Sequence, residues 1–379
     1  MTREREGGLR ARPLARAANS RTPADNRTPA KSPPPPASTA SSRGTLAPEL
    51  RTLIDEVIEA ADVDANRDLL SAMLATSIQL AQTTTDRLDL KIASAALSEM
   101  ADAFEVFRPY RLQRKVTLFG SARTQPDDPL YAQARALARL LAGEGWKVVT
   151  GAGPGIMAAG MEGAGQDNSF GVNIRLPHEQ GPNRFIAADP KLVEMRYFFT
   201  RKLMLIKESQ AYAVLPGGFG TLDEMFELLT LLQTGKAQPA PVVLVDTPGG
   251  AYWQRWLEFI TGSVQRSRLI SPSDHALFHI TDSVQDAADK ITAFYRNYHS
   301  ARWVGDLLVL RMHVLPDEAE LDRLNNLFSD ICATGRIEPA RPFQPERATN
   351  DFLDLARLAF HYTRNHYGRL RELINAINA

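Results

Sequence analysis

The sequence predicts an α/β fold: a parallel sheet with helices on both faces, preceded by an N-terminal helical layer and followed by a small C-terminal α+β module. Between Lys115 and Tyr298 short apolar runs alternate with stretches of helical periodicity. Strands separated by helices require crossover connections, and so a parallel sheet covered on both sides. Three of the apolar runs empty into glycine-rich segments, placed at the carboxyl ends of strands, where such sheets bind ligands. With 379 residues and 44% apolar side chains, the chain has core material for one large or two modest domains.

Residues 1 to 45 combine Arg, Ala, Ser, Thr and Pro, including Pro33 to Pro36, with almost no large apolar side chains, and read as a disordered tail. The tail is Arg-rich and acid-poor like a transit peptide but lacks the amphipathic period of one. In residues 46 to 110, Leu50, Leu53, Ile54, Val57 and Ile58, then Leu69, Leu70, Met73 and Leu74, recur at helical spacing, and Asp86 to Phe107 gives a further amphipathic helix. This layer packs either on the core domain or on a partner subunit.

Residues 111 to 299 form the expected core domain. Strands are predicted over Lys115 to Phe119, Trp146 to Thr150, Phe170 to Leu176, Ala211 to Leu215, Pro241 to Val245 and Leu277 to Ile280. Helices are predicted over Tyr131 to Glu144, Ile156 to Gly165, Lys191 to Ser209, from Met225 onward, Tyr252 to Val264 and Ser283 to Tyr298. Residues 300 to 379 read as the appended module: a strand at Leu307 to Val314, a helix at Asp317 to Cys332, a Pro-rich turn (Pro339, Pro342, Pro345) and a helix pair over Asn350 to Ile377.

Composition excludes several function classes. The tail carries nine Lys/Arg against three Asp/Glu, leaving 35 against 41 in the rest. A mildly acidic body offers no basic face to a polynucleotide. Cys332 is the only cysteine, which rules out an internal disulfide or a cysteine-built zinc site and fits a reducing cytoplasm. No metal site is expected either, since His275 and His279, four apart, flank a strand. No apolar run reaches the 18 residues a membrane span needs.

The most informative segment is Pro216-Gly217-Gly218-Phe219-Gly220-Thr221-Leu222-Asp223-Glu224. It joins a buried strand to a helix, whose first N–H groups lack partners and whose macrodipole is positive there, so main-chain donors can hold a phosphate. Glycines let the anion approach. The structural alternative is a capping box in which Thr221 and Glu224 merely satisfy the helix end. Two further glycine clusters, Gly120-Ser121-Ala122-Arg123 and Gly151-Ala152-Gly153-Pro154-Gly155, follow the first and second strands and open on the same sheet edge. Neither the dinucleotide fingerprint nor the P-loop motif is present, so NAD and P-loop ATP hydrolysis are disfavoured, no cofactor is expected, and a monophosphate is the natural guest.

Arg201 and Lys202 interrupt an apolar helix before the fourth strand, placed to pair with a carboxylate or a phosphate, or else to snorkel into solvent. Glu179 follows the third strand and Arg123 the first; each is a pocket group or a solvated loop charge. Phosphate donors with an Arg and one or two carboxylates suit glycosidic cleavage, where a carboxylate stabilises a sugar cation or activates water.

These residues resemble the Lonely Guy (LOG) phosphoribohydrolases, formerly mislabelled as lysine decarboxylases. Pro216 to Glu224 matches the family pattern P-G-G-x-G-T-x-x-E in full, and Arg201-Lys202 matches its R-K pair. The resemblance covers roughly Val116 to Phe294. It implies a Rossmann-like domain that hydrolyses the N-glycosidic bond of nucleoside 5′-monophosphates, AMP or a cytokinin riboside 5′-monophosphate, to free base and ribose 5-phosphate. It implies Arg201 and Glu224 as the catalytic pair. Substrate contacts are then expected from Gly120, Ser121, Arg123, Gly153, Gly155, Glu179 and Lys202, and from Gly217, Gly218, Phe219, Gly220, Thr221, Asp223 and Glu227. Short members read M-H-x-R-K where this chain has Phe198-Phe199-Thr200-Arg201-Lys202, so it is similar to the longer bacterial type, and a general AMP nucleosidase is favoured over a cytokinin-specific one. A homodimer or larger homo-oligomer is implied as well. The alternative is a nucleotide or cofactor carrier of the same fold that binds without cleaving.

Overall fold

The computed structural model describes residues 46–84, 86–175 and 181–379; the expected disordered tail and Glu179 lie outside the described residues. The chain divides after Thr83 into two compact units. The first holds α1 (Pro48–Ala60) and α2 (Arg67–Thr83), which pack around Leu46, Ile54 and Ile58 with Leu70, Leu74 and Ile78 against them. A proline in the first turn starts α1, where its missing N–H costs nothing.

The second unit opens with α3 (Arg87–Phe107), capped by Asp86, whose side chain accepts the Leu88 N–H at 2.8 Å. The core domain follows as β1 (Lys115–Phe119), α4 (Pro129–Gly143), β2 (Lys147–Thr150), α5 (Ile156–Ala164), β3 (Ser169–Ile174), β4 (Leu192–Met195), α6 (Phe198–Lys207), β5 (Ala211–Val214), α7 (Phe219–Gln233), β6 (Val242–Val245), α8 (Tyr252–Phe259), β7 (His279–Thr281) and α9 (Val284–Ala293). Its seven strands lie in the order β4-β3-β2-β1-β5-β6-β7, and every pairing is parallel. The predicted parallel sheet is therefore present. One face packs Val116, Leu118 and Val148 against Leu137, Leu141 and Ile291. The other packs Phe119, Val149 and Phe170 against Phe107, Met204 and Leu228.

The appended module consists of β8 (Tyr298–Val304), β9 (Leu307–Met312), α10 (Glu318–Phe328), β10 (Cys332–Pro339), α11 (Gln344–Ala348), β11 (Ala356–Tyr362) and α12 (Tyr367–Ile377). Its strands form an antiparallel sheet in the order β10-β11-β9-β8.

Several element expectations are corrected. The single helix expected over Lys191 to Ser209 divides into strand β4 and helix α6. Tyr197 begins α6 without any cap from its own side chain, so the local sequence carries no start signal. The helix expected to end at Tyr298 stops at Ala293, and Tyr298 begins β8. The final helix pair is β11 followed by α12. β11 is buried at nearly every position, which erases the alternation that marks a half-exposed strand, and it carries Arg357, fully buried beside Glu346 at 3.2 Å.

Candidate active site

The order of the sheet creates the site. The chain steps outward from β1 through β2 and β3 to β4, then returns to place β5 on the other side of β1. A crevice opens at such a reversal beyond the carboxyl ends of the strands. Here the two loops flanking the crevice are bonded together: the Ser121 N–H donates to the Pro216 carbonyl at 3.3 Å, and the Leu215 N–H to the Phe119 carbonyl at 2.9 Å. The Ile156 N–H donates to the Ser121 carbonyl at 3.0 Å, which ties in the loop after β2.

Glycines are demanded where these loops touch. A Cβ on Gly217 would lie 2.2 Å from the Thr221 hydroxyl oxygen, and one on Gly155, at φ +67°, would lie 2.3 Å from the Ser121 carbonyl. Both separations are far inside van der Waals contact. Gly218 and Gly220 differ, since a Cβ there would meet no protein atom within 4 Å. They face open space along a cavity of about 890 Å³, within the range of small-molecule sites.

The cavity wall brings together Gly120, Ser121, Arg123, Arg201, Gly217, Gly218, Phe219, Gly220, Thr221, Asp223 and Glu224. Gly153 and Gly155 stand behind it: the Gly153 carbonyl accepts from the Asn183 side chain at 3.0 Å, and Gly155 supports the Ser121 turn. Lys202 and Glu227 also lie outside the wall, bonded to one another at 2.7 Å. Sequence reasoning missed the apolar wall, made of Phe198, Met157, Ile174 and Leu205, because each reads as an ordinary core position.

Helix α7 begins at Phe219 with Gly218 as its N-cap and no side-chain cap. Thr221 and Glu224 therefore form no capping box, and the structural alternative for this motif is set aside. Glu224 is instead buried against the cavity. Its Oε1 is 4.0 Å from Arg201 Nη1 and its Oε2 4.0 Å from Lys202 Nζ, both beyond hydrogen-bond reach. Among the described residues Oε2 accepts no hydrogen bond. Burial pushes the Glu224 carboxyl up to about 7, more than Lys202 and Arg201 draw it down. A carboxyl poised near neutrality can both take and return a proton.

Arg201 reaches across the sheet edge. Its Nε donates to the Val172 carbonyl at 2.9 Å, its Nη2 contacts the Gly151 carbonyl at 3.4 Å, and a Cβ on Gly151 would collide with that guanidinium at 1.9 Å. Lys202 bonds Asp223 at 2.9 Å and Glu227 at 2.7 Å, which ties α6 to α7 beside the acid. The Tyr252 hydroxyl donates to the Gly217 carbonyl at 2.7 Å and braces the glycine turn from α8.

Among the described residues no cluster of metal-ligating side chains occurs. His275 contacts Gln265 and His279 contacts Asp286. Among the described residues no helix is long and apolar enough to cross a membrane.

A family model described as "Possible lysine decarboxylase" matches residues 155–291. The cytokinin riboside 5′-monophosphate phosphoribohydrolase of Mycobacterium tuberculosis is 30% identical over 152 residues, spanning 39% of this chain and 77% of that protein. A rice (Oryza sativa subsp. japonica) protein named "Probable cytokinin riboside 5′-monophosphate phosphoribohydrolase" is 35% identical over 99 residues, 26% of this chain and 44% of the relative. The chain spans less than two thirds of the length of the plant relatives it matches first. A molybdenum cofactor binding protein from Rippkaea orientalis is similar over 48% of this chain and 96% of its own, at 19% identity and a TM-score of 0.35, a likeness too low to bear on function. The full glycine-acid motif at the crevice, together with the mycobacterial relative, places the chain in the Lonely Guy phosphoribohydrolase family.

Proposed function

We propose that the protein hydrolyses the N-glycosidic bond of a nucleoside 5′-monophosphate. The phosphate docks on the main-chain donors of Gly217 to Thr221 at the start of α7. Glu224 takes a proton from water as the water oxygen bonds to C1′, the bond from C1′ to the base breaks, and Glu224 returns that proton to the departing base. Arg201 sets the direction and charge of the Glu224 carboxylate. Ser121 and Arg123 border the phosphate end, Asp223 the ribose end, and the apolar wall around Phe198 and Met157 receives the base. Lys202 and Glu227 support Glu224 from behind. Glu179 is proposed as a further substrate contact on the family resemblance alone.

The observation that carries this reading is the buried acid, 4.0 Å from a guanidinium and sharing one cavity with the glycine turn. Relatives named for the same reaction on cytokinin nucleotides support it. AMP is the proposed ordinary substrate. Incubation of purified protein with AMP, followed by chromatography, is expected to yield adenine and ribose 5-phosphate. AMP that raises the melting temperature and returns intact would instead establish the carrier reading.

The assembly proposed is a homodimer. Phe198, Phe219 and Phe226, at 51%, 93% and 41% exposure, place apolar rings on the two helices that carry Arg201 and Glu224. Light scattering on the eluting protein tests it, and a monomeric mass rejects it. A polynucleotide partner is not proposed. The single thiol of Cys332 supports a cytoplasmic assignment.

A further inference from the structure

The loop after β2 begins Gly151-Ala152-Gly153, and its one residue with a side chain carries a conformation that favours glycine. Ala152 sits at φ +60°, where a Cβ crowds the neighbouring carbonyl oxygen. Among the described residues every other non-glycine residue with positive φ is exposed, whereas Ala152 is fully buried. Its methyl group packs with Met161 and Ile186, and a Cβ on Gly171 of β3 would lie 3.0 Å from it. Backbone held away from its preferred region persists only where its surroundings over-determine it.

Two polar residues supply that constraint, one on each side of Ala152. The Ala152 N–H donates to Thr150 Oγ1 at 3.0 Å. The Ala152 carbonyl accepts twice from Asn183, from its main-chain N–H at 2.8 Å and from its Nδ2 at 2.9 Å, and the same Nδ2 reaches the Gly153 carbonyl at 3.0 Å. Asn183 Oδ1 accepts the Phe185 N–H at 3.1 Å, so the donor end of the amide faces the glycine loop.

The peptide unit joining Gly151 to Ala152 points its other end at the site. Its N–H is the one held by Thr150, and its C=O is the Gly151 carbonyl that Arg201 Nη2 meets at 3.4 Å. A peptide unit is planar, so the two ends turn together. If Ala152 relaxed to negative φ with a compensating turn about Gly151 ψ, the N–H would leave Thr150 and the carbonyl would leave the guanidinium. The guanidinium rests directly on this backbone, since a Cβ on Gly151 would lie 1.9 Å from Nη2, and a rotated peptide would displace it.

We propose that Asn183 and Thr150 are positioning residues: by clamping the peptide between Gly151 and Ala152 in its left-handed turn, they set the guanidinium of Arg201 at its 4.0 Å distance from Glu224. Neither lies on the cavity wall; each acts through the peptide and then through Arg201. The catalytic consequence rests on the hydrolase reading, while the geometric one stands without it.

Asn183→Ala is expected to lower kcat for AMP by at least about fivefold, because a misplacement of about 1 Å near the reacting atoms can cost more than that. KM is expected to change less, since the phosphate turn lies on another loop. A smaller fall in kcat overturns the proposal. The acidic limb of the kcat/KM profile is also expected to move to higher pH. Lys202 and Arg201 draw the Glu224 carboxyl down while Glu227 and Asp223 push it up, and the variant weakens the Arg201 contribution alone. A residue that merely stabilises the fold would leave the limb in place, and that result overturns the proposal. Adding Ala152→Gly to Asn183→Ala is expected to raise kcat at least about twofold above the single variant, since glycine holds positive φ without strain; no recovery overturns the clamp.

Should Asn183→Ala fail to fold, Thr150→Val keeps the side-chain shape, removes the acceptor of the Ala152 N–H and carries the same expectations. A crystal structure of the variant separates the two readings. The Gly151 carbonyl is expected to have turned and Arg201 to stand farther than 4.0 Å from Glu224. Unchanged geometry overturns the proposal whatever the activity, whereas AMP left intact by the unaltered protein refutes the hydrolase reading and leaves the crystal structure to decide the positioning.

Discussion

The carboxylate of Glu99 on α3 accepts a 2.6 Å hydrogen bond from the hydroxyl of Thr200 on α6, and its other oxygen accepts the Arg196 N–H at 2.9 Å. A helix that lacks a side-chain cap is thus anchored at its first turn by a residue about a hundred positions earlier in the chain, immediately beside Arg201. Glu99→Ala leaves the Arg196 N–H unpaired, while the Thr200 hydroxyl keeps the Tyr197 carbonyl at 2.9 Å, at a cost of about 1–3 kcal/mol. It is expected to lower kcat for AMP by tenfold or more, because the start of α6 aims the guanidinium. Thermal denaturation with steady-state kinetics checks both effects, and a variant destabilised with unchanged kcat would confine Glu99 to a structural role.

Glu224→Gln keeps the volume of the side chain and removes its proton chemistry. Adenine release is expected to fall by at least about 10²-fold, the scale of general acid–base assistance. AMP affinity, measured by equilibrium dialysis, is expected to stay within severalfold, since the phosphate turn is main chain. Turnover equal to that of the parent protein would remove Glu224 from the mechanism.

The same residue dictates a pH dependence of stability. Its folded-state carboxyl is raised to about 7 from an ordinary value of 4.5, so between those limits the folded protein holds the proton more tightly than the unfolded chain. Stability from this group therefore falls as pH rises from 4.5 to 7, and the full penalty, on the order of 3 kcal/mol at most, applies above 7. Glu224→Gln is expected to raise the melting temperature at pH 8 and to leave it nearly unchanged at pH 4.5. An equal shift at both values would contradict the raised carboxyl.

Tyr252 fixes the Gly217 carbonyl at 2.7 Å. Tyr252→Phe removes that bond alone, and KM for AMP is expected to rise about fivefold or more with kcat changed less, a split that initial-rate measurements resolve. If the phosphate turn needs no brace, KM will not move.

In the module, Glu346 is fully buried between Arg311 at 2.7 Å and Arg357 at 3.2 Å. Cutting one partner from a buried ion network strands the others, at about 3–5 kcal/mol. Glu346→Ala is expected to lower the urea midpoint markedly or to abolish folding, whereas Glu320→Ala, in an exposed pair with Arg323, is expected to change it by under about 1 kcal/mol. Comparable midpoints for the two variants would show that the buried network is not stabilising.

Local pattern made the parallel sheet legible. Lys115–Phe119 and Val242–Val245 are short apolar runs between helical periods, and crossover connections leave little choice of architecture. The motif from Pro216 to Glu224 was equally legible, because glycines at a strand-to-helix junction have few other uses. Elements whose neighbours decide their state were not. β4 sits inside a stretch of helical period, β11 hides its alternation by burial on both faces, and the first turn of α6 is anchored by Glu99, which no local window contains.

The sequence alone determined the chemical inventory, namely a glycine turn, an acid and an Arg-Lys pair, because backbone permissiveness and side-chain charge belong to residue types. It left a capping box and a pocket acid both open for Thr221 and Glu224. The tertiary structure removes the capping box and buries Glu224 at the cavity. The return of the chain from β4 to β5 sets Gly217 against Ser121 and brings Arg201 to 4.0 Å from Glu224, and the carboxyl rises toward neutrality because the packed sheet edge keeps water from it. Proximity and desolvation depend on contacts between distant parts of the chain, and those exist only once it has folded.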